Sequence, residues 1–294
     1  MTSLATDIKK RPSRLRPAGL TPGQVVIWVV LAVIVLANLC PFIWVVLSSF
    51  KPGSEINAER PTLLPRKWTL ENYRNMAHQM GGFGRFYLNS FIVTTATVGL
   101  TLLVGSLAAY GFARFQFRGS SVLFYTLVFS MFLPGELALI GRFELFQKFR
   151  LLNKLTGLTL AYTASGLAMV LFIMRNVFRG IPQDMIDAAR IDGCGTWGIF
   201  WEIMIPISKT GLVAAAVLTF MGAWNEFLFA VTTTWSEKAQ TLPVGIMLLR
   251  GQFEHWDYGM LFATLMLSFL PVMILFVALQ KHFIRGATAG AIKG

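Results

Sequence analysis

Stretches of some twenty apolar residues, repeated along the chain, constrain this protein more than any other feature. In hydrocarbon no water can satisfy a backbone N–H or C=O, so such runs must cross as helices or as strands of a closed barrel. A helix needs about 20 residues to cross roughly 30 Å of hydrocarbon, whereas barrel strands are ~10 residues long with alternating polarity, a pattern absent here. The sequence therefore predicts an all-α integral membrane protein with about six spans. They are Val25 to Ser49, Phe86 to Phe112, Ser121 to Ile140, Leu158 to Met174, Gly211 to Thr232 and Met260 to Phe283. The first ends at Lys51-Pro52-Gly53, and the third contains Pro134-Gly135-Glu136. Composition agrees: 55% of the 294 residues are hydrophobic and only 14% charged, against about a quarter charged in a soluble domain.

The simplest division is a basic segment over 1–24, one membrane domain over 25–285 and a short tail over 286–294. No inverted repeat of the kind found in many secondary transporters is apparent. Lys9, Lys10, Arg11, Arg14 and Arg16 precede the first apolar run. That run is longer than a signal-peptide core and lacks a small-x-small cleavage site, so it is expected to stay as an uncleaved helix. Leu39 stands where a lipoprotein reading of Cys40 would need a small residue. Cys40 in a span and Cys194 in a polar loop are not expected to pair.

A net charge of +12 would suggest nucleic acid in a soluble protein. In a membrane chain it reads as basic residues at interfaces and in loops, with lipid as the partner and no nucleic acid. Placing the N-terminus inside puts 13 Lys and Arg inside and 12 outside, with Arg175 at a border, so the count leaves orientation open. The basic leader favours both termini in the cytoplasm.

The segment 175–209 between the fourth and fifth spans is too polar to cross and too patterned for a linker. Pro182 suits the first turn of a helix, and Asp184 and Asp187 suit its positive end. Met185, Ala188, Ala189 and Ile191 are expected along one side. Gly193 lets the chain leave the helix in a left-handed conformation. A second short amphipathic helix, with Trp197, Phe200, Trp201 and Met204, leads to Pro206. The product is a helix-turn-helix on the membrane face, suited to docking into another protein. A helix lying on lipid is the bland alternative, but such helices are usually rich in Lys and Arg.

The run through Ala188, Ala189, Asp192, Gly193, Phe200, Ile203 and Pro206 resembles the Glu-Ala-Ala loop of ABC importer permeases. In that family the loop is a coupling helix seated in a cleft of the ATPase subunit. The resemblance assigns this role to Asp187, Ala188, Ala189, Asp192, Gly193 and Pro206. Asp187 stands where the family has Glu, which keeps the charge with a shorter reach, and Lys209 replaces a common second Pro. Tyr87-Leu88-Asn89-Ser90, Ala109-Tyr110-Gly111-Phe112-Ala113-Arg114, Trp224-Asn225-Glu226-Phe227 and the tail Ala289-Gly290-Ala291-Ile292-Lys293-Gly294 are similar to carbohydrate-uptake permeases related to the smaller maltose-importer permease. The resemblance implies a type-I importer architecture in a bacterial cytoplasmic membrane. It also implies a second homologous permease, an ATPase pair that binds ATP and Mg, and an external solute-binding protein.

No catalytic, cofactor or metal site is expected in the chain itself. His78, His255 and His282 make no metal spacing, no Walker-type phosphate loop exists, and no nucleophile-base-acid set is apparent. Trp224, Asn225 and Glu226 are candidates for the translocation path. A carboxylate in hydrocarbon costs at least ~2 kcal/mol unless it faces protein or water. Asn225 and Glu226 are therefore expected either to face a cavity near the solute path, or to make a packing or gating hydrogen bond with the neighbouring subunit, or to lie near the outer interface. Glu136 reads as a kinked helix end, and Trp28, Phe42 and Trp44 as interface or lipid-facing aromatics. A self-sufficient secondary transporter or membrane enzyme is the alternative, favoured by that carboxylate alone. The identity of the solute is open at this stage.

Overall fold

The computed structural model describes residues 21–60, 62–79, 82–252 and 257–291; for residues 79, 249–252 and 281–291 it describes backbone alone. The basic leader, His255 and the last three residues of the tail lie outside the described residues. The described chain contains helices and no strands. In order these are α1 (Pro22–Ser49), α2 (Gly53–Ile56), α3 (Glu71–Gln79), α4 (Phe83–Arg114), α5 (Ser120–Phe129), α6 (Leu139–Lys148), α7 (Leu155–Arg179), α8 (Gln183–Ile191), α9 (Thr196–Gly198), α10 (Ile205–Ile207), α11 (Lys209–Trp224), α12 (Leu228–Thr233), α13 (Leu242–Gln252) and α14 (Tyr258–Ala291).

Four of these, α1, α4, α7 and α14, are long and apolar enough to cross a membrane unaided. Two further spans are bent pairs, which brings the number of candidate spans to six. The first pair, Ser120–Phe132 with Gly135–Lys148, is bent by 98° where the sequence predicts one span over 121–140. The break falls at Pro134-Gly135: Leu133 is extended (φ −82°, ψ 123°) because the following proline ring excludes the helical conformation there. The second pair, Thr196–Ile207 with Lys209–Trp224, is bent by 79° at Ser208. The span expected over 211–232 also stops short, since α11 ends at Trp224 and α12 is a separate helix.

Helix ends follow local chemistry. Thr21 and Gln24 form a capping box at the start of α1, with Pro22 in the first turn. Lys51 is buried at 2% exposure despite ending an apolar run. Its ammonium donates to the Thr62 carbonyl and lies 4.6 Å from the Trp44 ring centroid. Trp44 is thus engaged by a cation, whereas Trp28 remains 63% exposed, as a lipid-facing residue should be.

The packed centre is the pair α4 and α7, with α11 laid across both. Without a hydrophobic drive between helices in lipid, close approach through small residues supplies the contact. Gly105 and Gly166 provide it. A Cβ on Gly105 would come within 2.7 Å of Val170, and one on Gly166 within 3.1 Å of Thr101. Asn89 and Ser90 tie the start of α4 to the chain entering α13. Asn89 Nδ2 donates to the Glu237 and Gln240 carbonyls (3.1 and 2.8 Å), and Ser90 Oγ accepts from the Leu242 N–H (2.8 Å).

Candidate functional site

At the end of the bundle where α4 and α7 finish, α8 is set by its termini. Pro182 precedes it in an extended conformation and Asp184 occupies its first turn. At the other end Gly193 has φ +88°. The Gly193 N–H donates to the Arg190 carbonyl (3.0 Å), and the Cys194 N–H reaches back to the Ala189 carbonyl (2.9 Å). That crossed pair of bonds is a Schellman motif, and it requires the left-handed residue that the sequence supplies as glycine.

Of the four residues expected on one side of α8, Ala189 departs. It is buried with Ile186 (8% and 2% exposed), while Met185 and Ile191 are exposed (46% and 86%). Asp184, Asp187, Ala188 and Asp192 share the exposed surface. The reason is helical geometry: at 100° per residue, Ala188 and Ala189 cannot face the same way. Ala189 therefore belongs to the protein's own core and Ala188 to its surface. Asp187 accepts from Gln183 Nε2 (3.0 Å) and the Arg190 guanidinium (3.2 Å), an exposed cluster within the helix. Pro206 is exposed beside the corner at Ser208, past a π-helical stretch over Ile199–Met204, and forms no part of the α8 surface.

Two side chains fasten this unit to α4. Arg114 donates to the carbonyls of Phe178 (2.6 Å) and Ile181 (2.8 Å) and to Gln183 Oε1 (3.1 Å). One guanidinium thus closes the C-terminus of α7, the turn after it and the first residue of α8. Tyr110 donates to the Thr196 carbonyl (3.2 Å), and its ring meets Phe178 and Phe200 edge-on or tilted at 6.4 and 5.3 Å. In the sequence Arg114 stands just past the span over 86–112. Its fork of donors was visible, but its acceptors lie 64 to 69 residues away.

The triplet at the end of α11 points three ways. Trp224 is buried, stacks on Phe220 (5.7 Å) and donates from Nε1 to the Ser268 carbonyl (3.2 Å). Asn225 is exposed and donates to the Met221 carbonyl (2.9 Å). Glu226 caps α12, accepting the N–H groups of Phe229 (2.7 Å) and Ala230 (3.1 Å) and the Tyr162 hydroxyl (2.5 Å). It also lines a cavity of about 320 Å³ with Thr97, Arg142, Tyr162, Ser165 and Thr219. Glu226 thus combines a helix cap made within its own chain with a place on the cavity wall. Glu226→Ala removes three hydrogen bonds to a charged acceptor and should cost on the order of 3 kcal/mol. Glu226→Gln keeps an acceptor and should lose far less. Thermal melting of both variants in detergent checks the order; equal melting would show that the cap carries no stability.

Among the described residues no group of three His, Cys, Asp or Glu side chains could hold a metal.

The profile of the family described as "binding-protein-dependent transport system inner membrane component" matches residues 101–289, which contain α8 and Glu226. The chain is 34% identical to the probable ABC transporter permease protein YurM of Bacillus subtilis, over 98% of this chain and 93% of that one. It is 33% identical to the diacetylchitobiose uptake permease NgcG of Streptomyces coelicolor, over 95% and 90% of the two chains. The trehalose/maltose permease MalG of Thermococcus litoralis is 34% identical, over 91% and 97%. In fold the chain resembles a component of a bacterial ABC transporter that imports alginate, with a TM-score of 0.79 at 24% identity, covering 88% of this chain and 95% of that one. Six candidate spans, an exposed helix clamped to their ends and relatives matched over nearly their whole length agree: this chain belongs to the binding-protein-dependent transport inner membrane component family, the permease subunits of ABC transporters.

Proposed function

We propose that this permease forms half of the path for a sugar or sugar-like solute, and that α8 transmits the motion of a partner ATPase to the membrane helices. The observation that carries the reading is the rigid seating of α8. Its ends are fixed by Pro182 and by the Schellman turn at Gly193, and Arg114 and Tyr110 bind its flanks to α4. Above that seat stands an exposed surface of Met185, Ala188, Ile191 and three aspartates. Exposed apolar residues rimmed by charge mark a protein contact better than a lipid one. Asp187 and Asp192 flank Ala188, whose small side chain permits close approach.

Several relatives carry names that specify carbohydrate: diacetylchitobiose for NgcG, trehalose and maltose for MalG. These names support a saccharide as solute, brought by an external binding protein and passed between this subunit and a second, homologous permease. Of Trp224, Asn225 and Glu226, only Glu226 lines the cavity, so it is the member of the three assigned to the path. Trp224 holds α11 against α14, and Asn225 ends α11.

The engine lies in a partner that binds ATP and Mg. The chain expressed alone should neither bind nor hydrolyse ATP, with activity appearing on co-expression with a second permease and an ATPase pair. ATP hydrolysis by the purified single chain would overturn the reading. The same reading puts 179–209 and both termini in the cytoplasm, with 51–85 outside. A cysteine at position 187, in a background lacking Cys40 and Cys194, should react with a membrane-impermeant maleimide in inside-out vesicles only. Labelling in intact cells would reverse the topology.

A further inference from the structure

A second cavity, of about 260 Å³, opens between the ends of α4 and α7 and the start of α5. Arg114, Arg175, Arg179, Gln116, Gln183, Ser120 and Ser121 are its polar lining, and no Asp or Glu is among the lining residues. Arg175 is 8% exposed, with its guanidinium carbon 3.8 Å from the centroid of the Phe124 ring. Its Nε approaches the Phe112 carbonyl at 3.5 Å, and its two terminal nitrogens meet no acceptor among the described residues. Arg114 leaves its Nε buried without a partner. Ser120 and Ser121, in the first turn of α5, lie on the cavity wall.

Three arginines on the wall of one cavity, with no acidic residue lining it, are an unbalanced arrangement of charge. A buried cation is costly unless it is paired and hydrogen-bonded. A tetrahedral oxyanion offers acceptors to open guanidinium donors, whose planar fork matches phosphate. The surroundings narrow the source of that phosphate. The cavity lies where α4 and α7 end their apolar stretches, and beside it α5 exposes Val122 (72%) and Tyr125 (66%). A polar pocket at the rim of an apolar wall fits a molecule with a charged head and hydrocarbon tails.

We propose that this cavity binds the phosphodiester of an anionic phospholipid in the leaflet on the α8 side. The arginines exclude the quaternary ammonium of a zwitterionic lipid, so the preference is for net negative charge. Because Arg114 also holds α8, the occupied site lies one side chain from the docking surface. The inference rests on the chain spanning a membrane and is independent of the solute.

The test uses the full-length chain in nanodiscs of phosphatidylcholine with increasing phosphatidylglycerol, followed by native mass spectrometry of the protein released into detergent. Wild-type protein should retain phosphatidylglycerol in preference to phosphatidylcholine. Arg175→Gln and Arg179→Gln should each reduce that retention about five-fold. Arg179 is exposed at the end of α7, so its variant keeps the test valid if Arg175→Gln fails to fold. Equal retention of the two lipids, or retention unchanged in Arg179→Gln, overturns the proposal. Capture of inorganic phosphate without selective lipid retention identifies a soluble anion instead and overturns the lipid assignment. Variants that keep the lipid but release a co-purified ATPase subunit assign the arginines to a protein contact, which also overturns it.

Discussion

Gly193→Pro should reduce ATP-driven uptake in reconstituted vesicles more than ten-fold while leaving membrane insertion unchanged. Three effects coincide at this position. Gly193 has φ +88°, far from the −65° to which a proline ring is fixed. Its N–H donates to the Arg190 carbonyl, and proline has no N–H to offer. Losing that bond dismantles the crossed pair that ends α8, so the helix would enter the next turn in another direction. Proline in such a setting costs about 3 kcal/mol or more, all of it at the membrane surface and none in the spans. Gly193→Ala separates backbone from bulk. A Cβ there would meet nothing within 4 Å, so only left-handed strain of ~1 kcal/mol remains and uptake should fall modestly. Ala188→Trp should match Gly193→Pro by obstructing docking on a well-folded chain. Ala189→Trp should instead lower the yield of folded protein, because Ala189 is buried at 8% exposure. Asp187→Glu, which restores the family's usual residue, should be mild. Normal uptake by Gly193→Pro would show that α8 is not the coupling element.

Arg114→Ala should be the second large loss, again with normal insertion. Its guanidinium supplies bonds of 2.6, 2.8 and 3.1 Å to three acceptors that all belong to the joint between α7 and α8. Hydrogen bonds to a charged donor contribute about 1.5–3 kcal/mol each, so removing the fork and leaving two part-buried carbonyls open should cost on the order of 4 kcal/mol. The consequence is local: α8 stays helical through its own caps, but its position relative to α4 is released. Arg114→Lys keeps the charge and can reach one carbonyl, yet it cannot span three acceptors, and it should recover only part of the function. Proteolysis between residues 180 and 195 should become several-fold faster in Arg114→Ala and stay close to wild type in Gly193→Ala. Uptake and proteolysis both equal to wild type would show that the clamp is dispensable.

What the sequence determined by itself is whatever local rules decide. Hydrocarbon imposes a length and an absence of charge on every crossing segment, so six spans could be read directly. The structure has four unbroken candidate helices and two bent pairs, the second of them shifted toward the N-terminus of the expected span. Gly193 and Pro182 punctuate the chain through their own backbone preferences, and α8 lies between them. The Glu-Ala-Ala-like run identified the family because its residue types recur at fixed spacing within some twenty positions. Tertiary structure alone decided where side chains point once helices meet. It set Ala189 inward and Ala188 outward, and sent Trp224, Asn225 and Glu226 to a core, a helix end and a cavity. It gave Glu226 a partner in Tyr162, 64 residues earlier, and Arg114 a set of carbonyls at a similar remove. It also bent the third span by 98°, which Pro134-Gly135 permits but does not by itself require. Spans and caps are settled by energies within a few residues, whereas partners are settled by which helices pack together, and that choice depends on the whole chain at once.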